Sequence, residues 1–172
     1  PAAALGNFTL NTAPIVPTLG VFDGPGASVA VINQPTGKWN YWRIDVPVGA
    51  LGWDVRLVGV TGGSPAMVVR RDLLPDNLST HAANGSGWNA GYDTTWPSGN
   101  QWAGGSDWTG HYYTAEGQDG HVNMLAMGMG GPLEPGTYYV GVYATGDSSY
   151  TLQSRGIGAG LAIPVVDLPF TG

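Results

Sequence analysis

Apolar and polar residues alternate along this chain in short runs bounded by Gly, Pro, Asn and Asp. Between residues 39 and 46, for example, Trp42 and Ile44 fall on one side, whereas Arg43 and Asp45 fall on the other. A period of two residues is typical of a strand with one buried face. The predicted strands are Ser28–Ile32, Trp39–Val46, Leu51–Val58, Ala66–Arg71, Val122–Met127, Thr137–Ala144 and Tyr150–Arg155. No stretch has a helical period with caps, so the pattern predicts an all-β fold, an antiparallel β-sandwich.

A turn at Pro47–Gly49 follows the second predicted strand, and the sequence leaves open whether the second and third strands pair as a hairpin. In that hairpin Arg43 would face Asp54, or Asp45 would face Arg56. Such cross-strand pairs contribute a few tenths of a kcal/mol. We interpret these charges as a solvated pair rather than as catalytic groups.

The alternation stops over about residues 73–121, which are rich in Gly, Ser, Asn and Trp. Connections of more than about 15 residues without regular structure are uncommon in compact domains and are usually functional or mobile. We therefore interpret residues 28–158 as a sandwich that carries a long, aromatic-rich loop insertion. Residues 1–27 are predicted to be an N-terminal connecting segment, and residues 159–172 a linker or the first strand of a following module.

Three sequence motifs occur in the order found in a known family. They are Tyr41–Pro47 followed by Gly49, then Val55–Leu57 leading to Gly62, Gly63 and Met67–Arg70, and finally Pro135–Val142. Together they resemble the bacterial pre-peptidase C-terminal (PPC) domain from about Val29 to Arg155. The resemblance implies a jelly-roll-like sandwich, an extracellular or cell-surface location, and a supporting role such as substrate adhesion. The stretch Ser64–Ala66 lacks the acidic pair that many members carry there, which weakens the case for a calcium site at this position.

Length and charge narrow the range of partners. A chain of 172 residues fits one domain with its own core. With 6 basic against 12 acidic residues, the net charge of −6 makes nucleic acid a poor partner. The sequence has no Cys, which excludes disulfides and thiolate sites, and no apolar run long enough to span a membrane. The remaining candidates are a polysaccharide and neighbouring modules of the same polypeptide.

The insertion combines Trp and Tyr with amide and acidic side chains. Flat aromatic faces stack on the apolar faces of sugar rings, while amides and carboxylates hydrogen-bond to the hydroxyl groups. The candidate ligand-binding residues are Trp88, Tyr92, Trp96, Gln101, Trp102, Trp108 and Tyr112. The alternative is that these rings form a small core that pins the insertion to the sandwich. The composition leaves both interpretations open.

Oxygen-bearing side chains in the insertion also suggest a structural calcium ion, with Asp93 and Asp107 as the first ligands to consider. No ordered calcium-loop motif is present, and solvated Asp and Asn turns are the alternative. No other cofactor is expected.

Catalytic patterns are missing from the sequence. The spacings of His81, His111 and His121 match no compact metal motif, and no Gly-x-Ser-x-Gly nucleophile elbow is present. Glu116 and Glu134 are the only glutamates, so a carboxylate pair for glycoside cleavage is unsupported. We therefore expect no enzymatic activity.

The C-terminal residues Leu168–Gly172 fit a sortase anchoring signal, but they lack the apolar stretch and basic tail that accompany one. A linker or the first strand of a following module is the alternative interpretation. The leading hypothesis is a non-catalytic accessory or binding module of an exported bacterial multidomain protein. The competing hypothesis is a structural spacer or folding aid in a tandem-repeat surface protein.

Overall fold

The computed structural model describes residues 15–22, 27–78, 98–99, 101–103, 124–127 and 133–158. These residues contain strands and no helix, so the predicted all-β fold is confirmed for them. The strands are β1 (Ala27–Gln34), β2 (Trp39–Val46), β3 (Ala50–Gly62), β4 (Pro65–Arg71), β5 (Gln101–Ala103), β6 (Met124–Met127), β7 (Gly136–Ala144) and β8 (Ser148–Gly158). Every strand predicted from the sequence has a counterpart, and β5 is an addition. Within this part of the chain, no helix is long and apolar enough to cross a membrane.

The strands form two antiparallel sheets. Sheet I has the order β1-β8-β3-β6, and sheet II has the order β2-β7-β4-β5. The inward side chains of both sheets belong to one apolar cluster, which makes the architecture sandwich-like. Its largest fully buried apolar members are Leu19, Ile44, Trp53, Leu57, Met67, Leu133, Tyr138 and Leu152.

Two aromatic residues meet at the centre of this core. Trp53 of sheet I and Tyr138 of sheet II form an edge-to-face pair with ring centroids 5.5 Å apart. The indole Nε1 donates a hydrogen bond to Ser154 Oγ at 2.8 Å, and the Tyr138 hydroxyl donates to the Glu134 carbonyl at 2.8 Å. Burial raises the pKa of Tyr138. Both polar groups of the pair are therefore satisfied inside the protein.

The second and third strands do not form a hairpin. β2 pairs with β7, whereas β3 pairs with β8 and β6, so the chain changes sheets at Pro47–Gly49. The charges pair along their own strands, Arg43 with Asp45 at 3.1 Å and Arg56 with Asp54. Alternation shows that a strand has an apolar face. The alternation does not show whether the next strand pairs in the same sheet or packs across the core in the other sheet. Here the apolar faces of β2 and β3 face each other across the core.

Residues 15–22 lie along the outer edge of β2. The Leu19 amide donates to the Arg43 carbonyl at 2.6 Å, and the Arg43 amide donates to the Pro17 carbonyl at 2.8 Å. Leu19 and Phe22 are buried in the core cluster. This segment therefore protects an edge that would otherwise present unpaired backbone groups.

The two connections at one end of the sandwich are joined by side chains. Asp147, between β7 and β8, accepts hydrogen bonds from the Thr36 amide and hydroxyl, each at 2.8 Å, and these bonds lower the pKa of Asp147. Beside them, the Gln34 amide donates to the Val142 carbonyl at 2.9 Å and accepts from the Tyr150 hydroxyl. Burial raises the pKa of Tyr150 to about 12. These contacts link sheet I to sheet II.

Candidate functional site

Most residues predicted to bind a ligand lie outside the described residues. They are Trp88, Tyr92, Trp96, Trp108 and Tyr112, together with the predicted calcium ligands Asp93 and Asp107. Gln101 and Trp102 belong to β5, which pairs with β4 at the edge of sheet II. The described parts of the insertion are residues 73–78, residues 98–99 and β5. They show how the insertion is attached.

Arg70 is the main attachment point. Its side chain leaves the outer face of β4 and is only 16% exposed. The guanidinium lies 3.1 Å from the Asp76 carboxylate and donates to the carbonyls of Leu74 and Gly99, each at 3.2 Å. Charge-assisted hydrogen bonds of this kind are the stronger ones in proteins. One side chain thus holds both the outgoing and the returning part of the insertion against sheet II.

Gln101 adds a second attachment beside the first. It is the cross-strand partner of Arg70 and is fully buried. Its amide nitrogen donates to the Asn77 carbonyl at 2.9 Å and lies 3.3 Å from the Asn77 side-chain oxygen. The sequence analysis grouped Gln101 with the ligand-binding residues. In the structure its amide makes an internal contact that holds the insertion in place.

Gly141 of β7 provides a hollow in which the insertion rests. A Cβ atom at this position would lie 3.1 Å from Pro75 Cγ, so a side chain here would require Pro75 to shift by a few tenths of an ångström. Val68, the cross-strand partner of Gly141, is fully buried although it lies on the outer face. The Tyr41 hydroxyl donates a hydrogen bond to the Pro75 carbonyl at 3.0 Å. Burial raises the pKa of Tyr41, and the nearby negative charge of Asp76 raises it further.

Three rings next to this hollow form what we call the aromatic cluster: Trp39, Tyr41 and Tyr143. Trp39 stacks on Tyr41 with centroids 5.6 Å apart and planes 4° from parallel. Tyr143 meets Trp39 at 5.2 Å with the planes tilted by 50°. All three side chains are half-buried, so part of each ring contacts solvent. Sequence reasoning did not select these residues, although aromatic residues on the otherwise charged side of β2 were the available signal.

The outer face of sheet I carries an open groove of about 350 Å³. Its lining residues are Ala27, Ser28, Asp54, Arg56, Gln153, Ser154 and Arg155. Asp54 accepts a hydrogen bond from Arg56 Nε at 2.9 Å and another from Arg56 Nη2. The groove is therefore polar and charged, and it lies on the side of the sandwich opposite the aromatic cluster.

The described residues contain no group of three His, Cys, Asp or Glu side chains that could hold a metal ion. His81, His111 and His121 lie outside these residues, as do Asp93 and Asp107. The calcium site therefore stays a prediction.

No family model matches the sequence, and comparisons with curated proteins and with solved structures gave no match. The resemblance to the PPC domain therefore stays a prediction carried by the three motifs given above.

Proposed function

We propose that this chain is a non-catalytic, jelly-roll-like binding module of an exported bacterial multidomain protein. It contacts a polysaccharide through aromatic side chains on the outer face of sheet II and in the adjoining insertion. The observation that carries this proposal is the half-buried aromatic cluster of Trp39, Tyr41 and Tyr143 on rigid strands next to the attached insertion.

The cluster suits a sugar ligand because indole and phenol rings present apolar faces to the C–H groups of a pyranose ring. Arg43 and Asp45 follow the cluster along β2, and both side chains are exposed. They offer hydrogen-bond donors and acceptors for sugar hydroxyls in line with the rings. Strands hold binding groups with less conformational freedom than loops do, so less ordering is needed when a ligand binds.

The insertion is attached to this same outer face of sheet II, which supports the proposal. Residues 74–77 lie beside sheet II, and so does Gly99, whose carbonyl accepts a hydrogen bond from Arg70. The predicted ligand-binding rings Trp88, Tyr92 and Trp96 belong to the stretch between these points. Because Pro75, at the start of the insertion, contacts Tyr41 of the aromatic cluster, the proposed binding surface includes both the cluster and these rings.

The alternative function is that of a spacer or folding aid. The contacts of Arg70, Gln101 and Gly141 favour it, because they fasten the insertion to the sandwich with buried groups. In this case the aromatic cluster packs only against the protein itself. The two functions predict different responses to added polysaccharide.

The test uses the whole chain with a panel of soluble neutral polysaccharides in affinity gel electrophoresis. We expect retardation by at least one polysaccharide, and a roughly tenfold weaker interaction for Trp39→Ala, since one stacked ring contributes about 1 kcal/mol or more. Ile32→Ala is the matched control, because Ile32 is an exposed apolar side chain on sheet I.

A second measurement does not depend on a variant. A bound polysaccharide should protect tryptophan fluorescence from iodide quenching in the wild-type chain. If the whole panel fails to bind while circular dichroism shows an intact β fold, or if Trp39→Ala binds as well as wild type, the binding proposal is wrong. Tryptophans that resist iodide without any ligand would then favour the spacer.

A further inference from the structure

The arginines of this chain are paired with acidic neighbours, with one exception. The pairs are Arg43 with Asp45, Arg56 with Asp54, Arg70 with Asp76, and Arg71 with Asp72. Arg155 is exposed and has no ion pair within the described residues. It lines the groove on the outer face of sheet I. A cation without an ion pair among the described residues is unexpected in a chain of net charge −6.

The carboxylate expected to pair with Arg155 already forms an ion pair with another arginine. Asp54 lies directly opposite Arg155 in the β3–β8 register, on the same outward face. Both oxygens of the Asp54 carboxylate, however, accept hydrogen bonds from Arg56. The groove therefore contains two guanidinium groups and one carboxylate, which leaves one positive charge. An added oxyanion would neutralise it.

The rest of the groove is built for polar contacts. Ser28 and Gln153 are exposed cross-strand partners on the same face, and they supply a hydroxyl and an amide. Ser154 turns inward and accepts the hydrogen bond from Trp53, which holds the floor of the groove to the core. Among the described residues that line the groove, Ala27 is the one with an apolar side chain.

We propose that this groove binds an oxyanion carried by a polysaccharide, either a carboxylate or a sulfate ester, with Arg155 as the main charged contact. The lining favours a sugar over a peptide, because it offers hydroxyl, amide and guanidinium groups but no apolar pocket for peptide side chains. This site is independent of the aromatic cluster, which lies on the other sheet.

The experiment titrates the whole chain with four probes in isothermal calorimetry at low salt. The probes are a tetramer of galacturonic acid, a sulfated galactose tetramer, a neutral galactose tetramer, and a short peptide with a free C-terminal carboxylate. We expect at least one of the anionic tetramers to bind, with an affinity that falls as salt rises. Which of the two binds identifies the oxyanion.

Arg155→Gln should weaken that binding about tenfold or more, because it removes the charge-assisted hydrogen bonds. Lys38→Gln, which removes an exposed positive charge outside the groove, is the control and should bind as wild type. Trp39→Ala should bind the anionic tetramer as tightly as wild type does, so the two binding proposals can be tested separately. The proposal is overturned if neither anionic tetramer binds, if the neutral tetramer or the peptide binds the Trp39→Ala variant as tightly as the anionic tetramer does, or if Arg155→Gln has no effect.

Discussion

The outer faces of the two sheets differ although both sheets follow the same alternation and share one core. On sheet II the outward positions include Gly141 and the fully buried Val68, and residues 74–77 cross over them. On sheet I the outward positions include Ser28, Gln153 and Arg155, all exposed. The part of sheet II beneath the insertion thus has small and apolar outward residues, whereas the groove on sheet I is lined mostly by polar ones.

This difference shows that the outward-facing residues of a strand indicate whether another segment covers that face. Polar outward residues are interchangeable as far as folding is concerned, because water satisfies them. Outward residues that another segment covers are part of a second, smaller packed layer. Substitutions beneath the insertion on sheet II should therefore affect stability, whereas substitutions in the groove on sheet I should leave stability almost unchanged and affect ligand binding.

The largest effect is expected for Arg70→Met. This change keeps the alkyl bulk but removes the ion pair with Asp76 and leaves the carbonyls of Leu74 and Gly99 without their donor. We expect a loss of about 2–3 kcal/mol in the free energy of unfolding, measured in urea. Arg155→Met on sheet I is the matched control and should stay within about 0.5 kcal/mol of wild type. Equal losses in both variants would contradict the comparison of the faces.

Gly141→Ala should have the next largest effect. The added methyl group would meet Trp39 at 3.0 Å and Pro75 at 3.1 Å, so the covering segment must move. We expect a loss of about 1–2 kcal/mol and faster amide hydrogen exchange in residues 72–78. Ala30→Val adds bulk at an exposed outward position of sheet I and should change stability by less than about 0.5 kcal/mol. If both variants are equally stable, the hollow at Gly141 is not a packed contact.

Tyr41 should make the covered face sensitive to alkali. Its pKa in the folded protein is raised above the ordinary value of about 10. The stability that it contributes is therefore complete below pH 10 and is lost as the pH rises through the raised pKa. Tyr41→Phe should cost about 1 kcal/mol at neutral pH, because the hydrogen bond to Pro75 is lost, and should flatten part of the alkaline fall in stability. Urea unfolding at neutral and alkaline pH, with tyrosinate absorbance as the second signal, checks this. An unchanged alkaline slope would be evidence against it.

Asp147→Asn should give the smallest effect and should act on both faces alike, because Asp147 and Thr36 join the connections between the sheets. The pKa of Asp147 is lowered, so its contribution is present above the ordinary value of about 4 and is lost as the pH falls through the lowered pKa. The variant should have a slightly lower midpoint of thermal unfolding at neutral pH and a weaker dependence on acid. Thr36→Val should behave similarly at neutral pH, whereas an effect confined to one sheet would argue against a shared link.

Local patterns predicted much of the fold and little of the site. Strand β2 has the predicted bounds, and the other predicted strands differ from the observed ones mainly at their ends. The sequence did not indicate that residues 15–22 cover the edge of β2, because Leu19 and Phe22 follow no period. It also missed β5, a strand of three residues that is too short for alternation to show.

Sequence alone determined that this protein is acidic and without Cys, and it predicted the all-β class that the described residues confirm and the aromatic insertion. Those properties follow from local alternation and composition, which act over a few residues at a time. Only the tertiary structure decided that β2 and β3 belong to different sheets and that Arg70 and Gly141 hold the insertion on one face. It also decided that Arg155 faces a groove where Asp54 is already paired. These features depend on contacts between residues far apart in the chain, and no local pattern encodes which strands become neighbours.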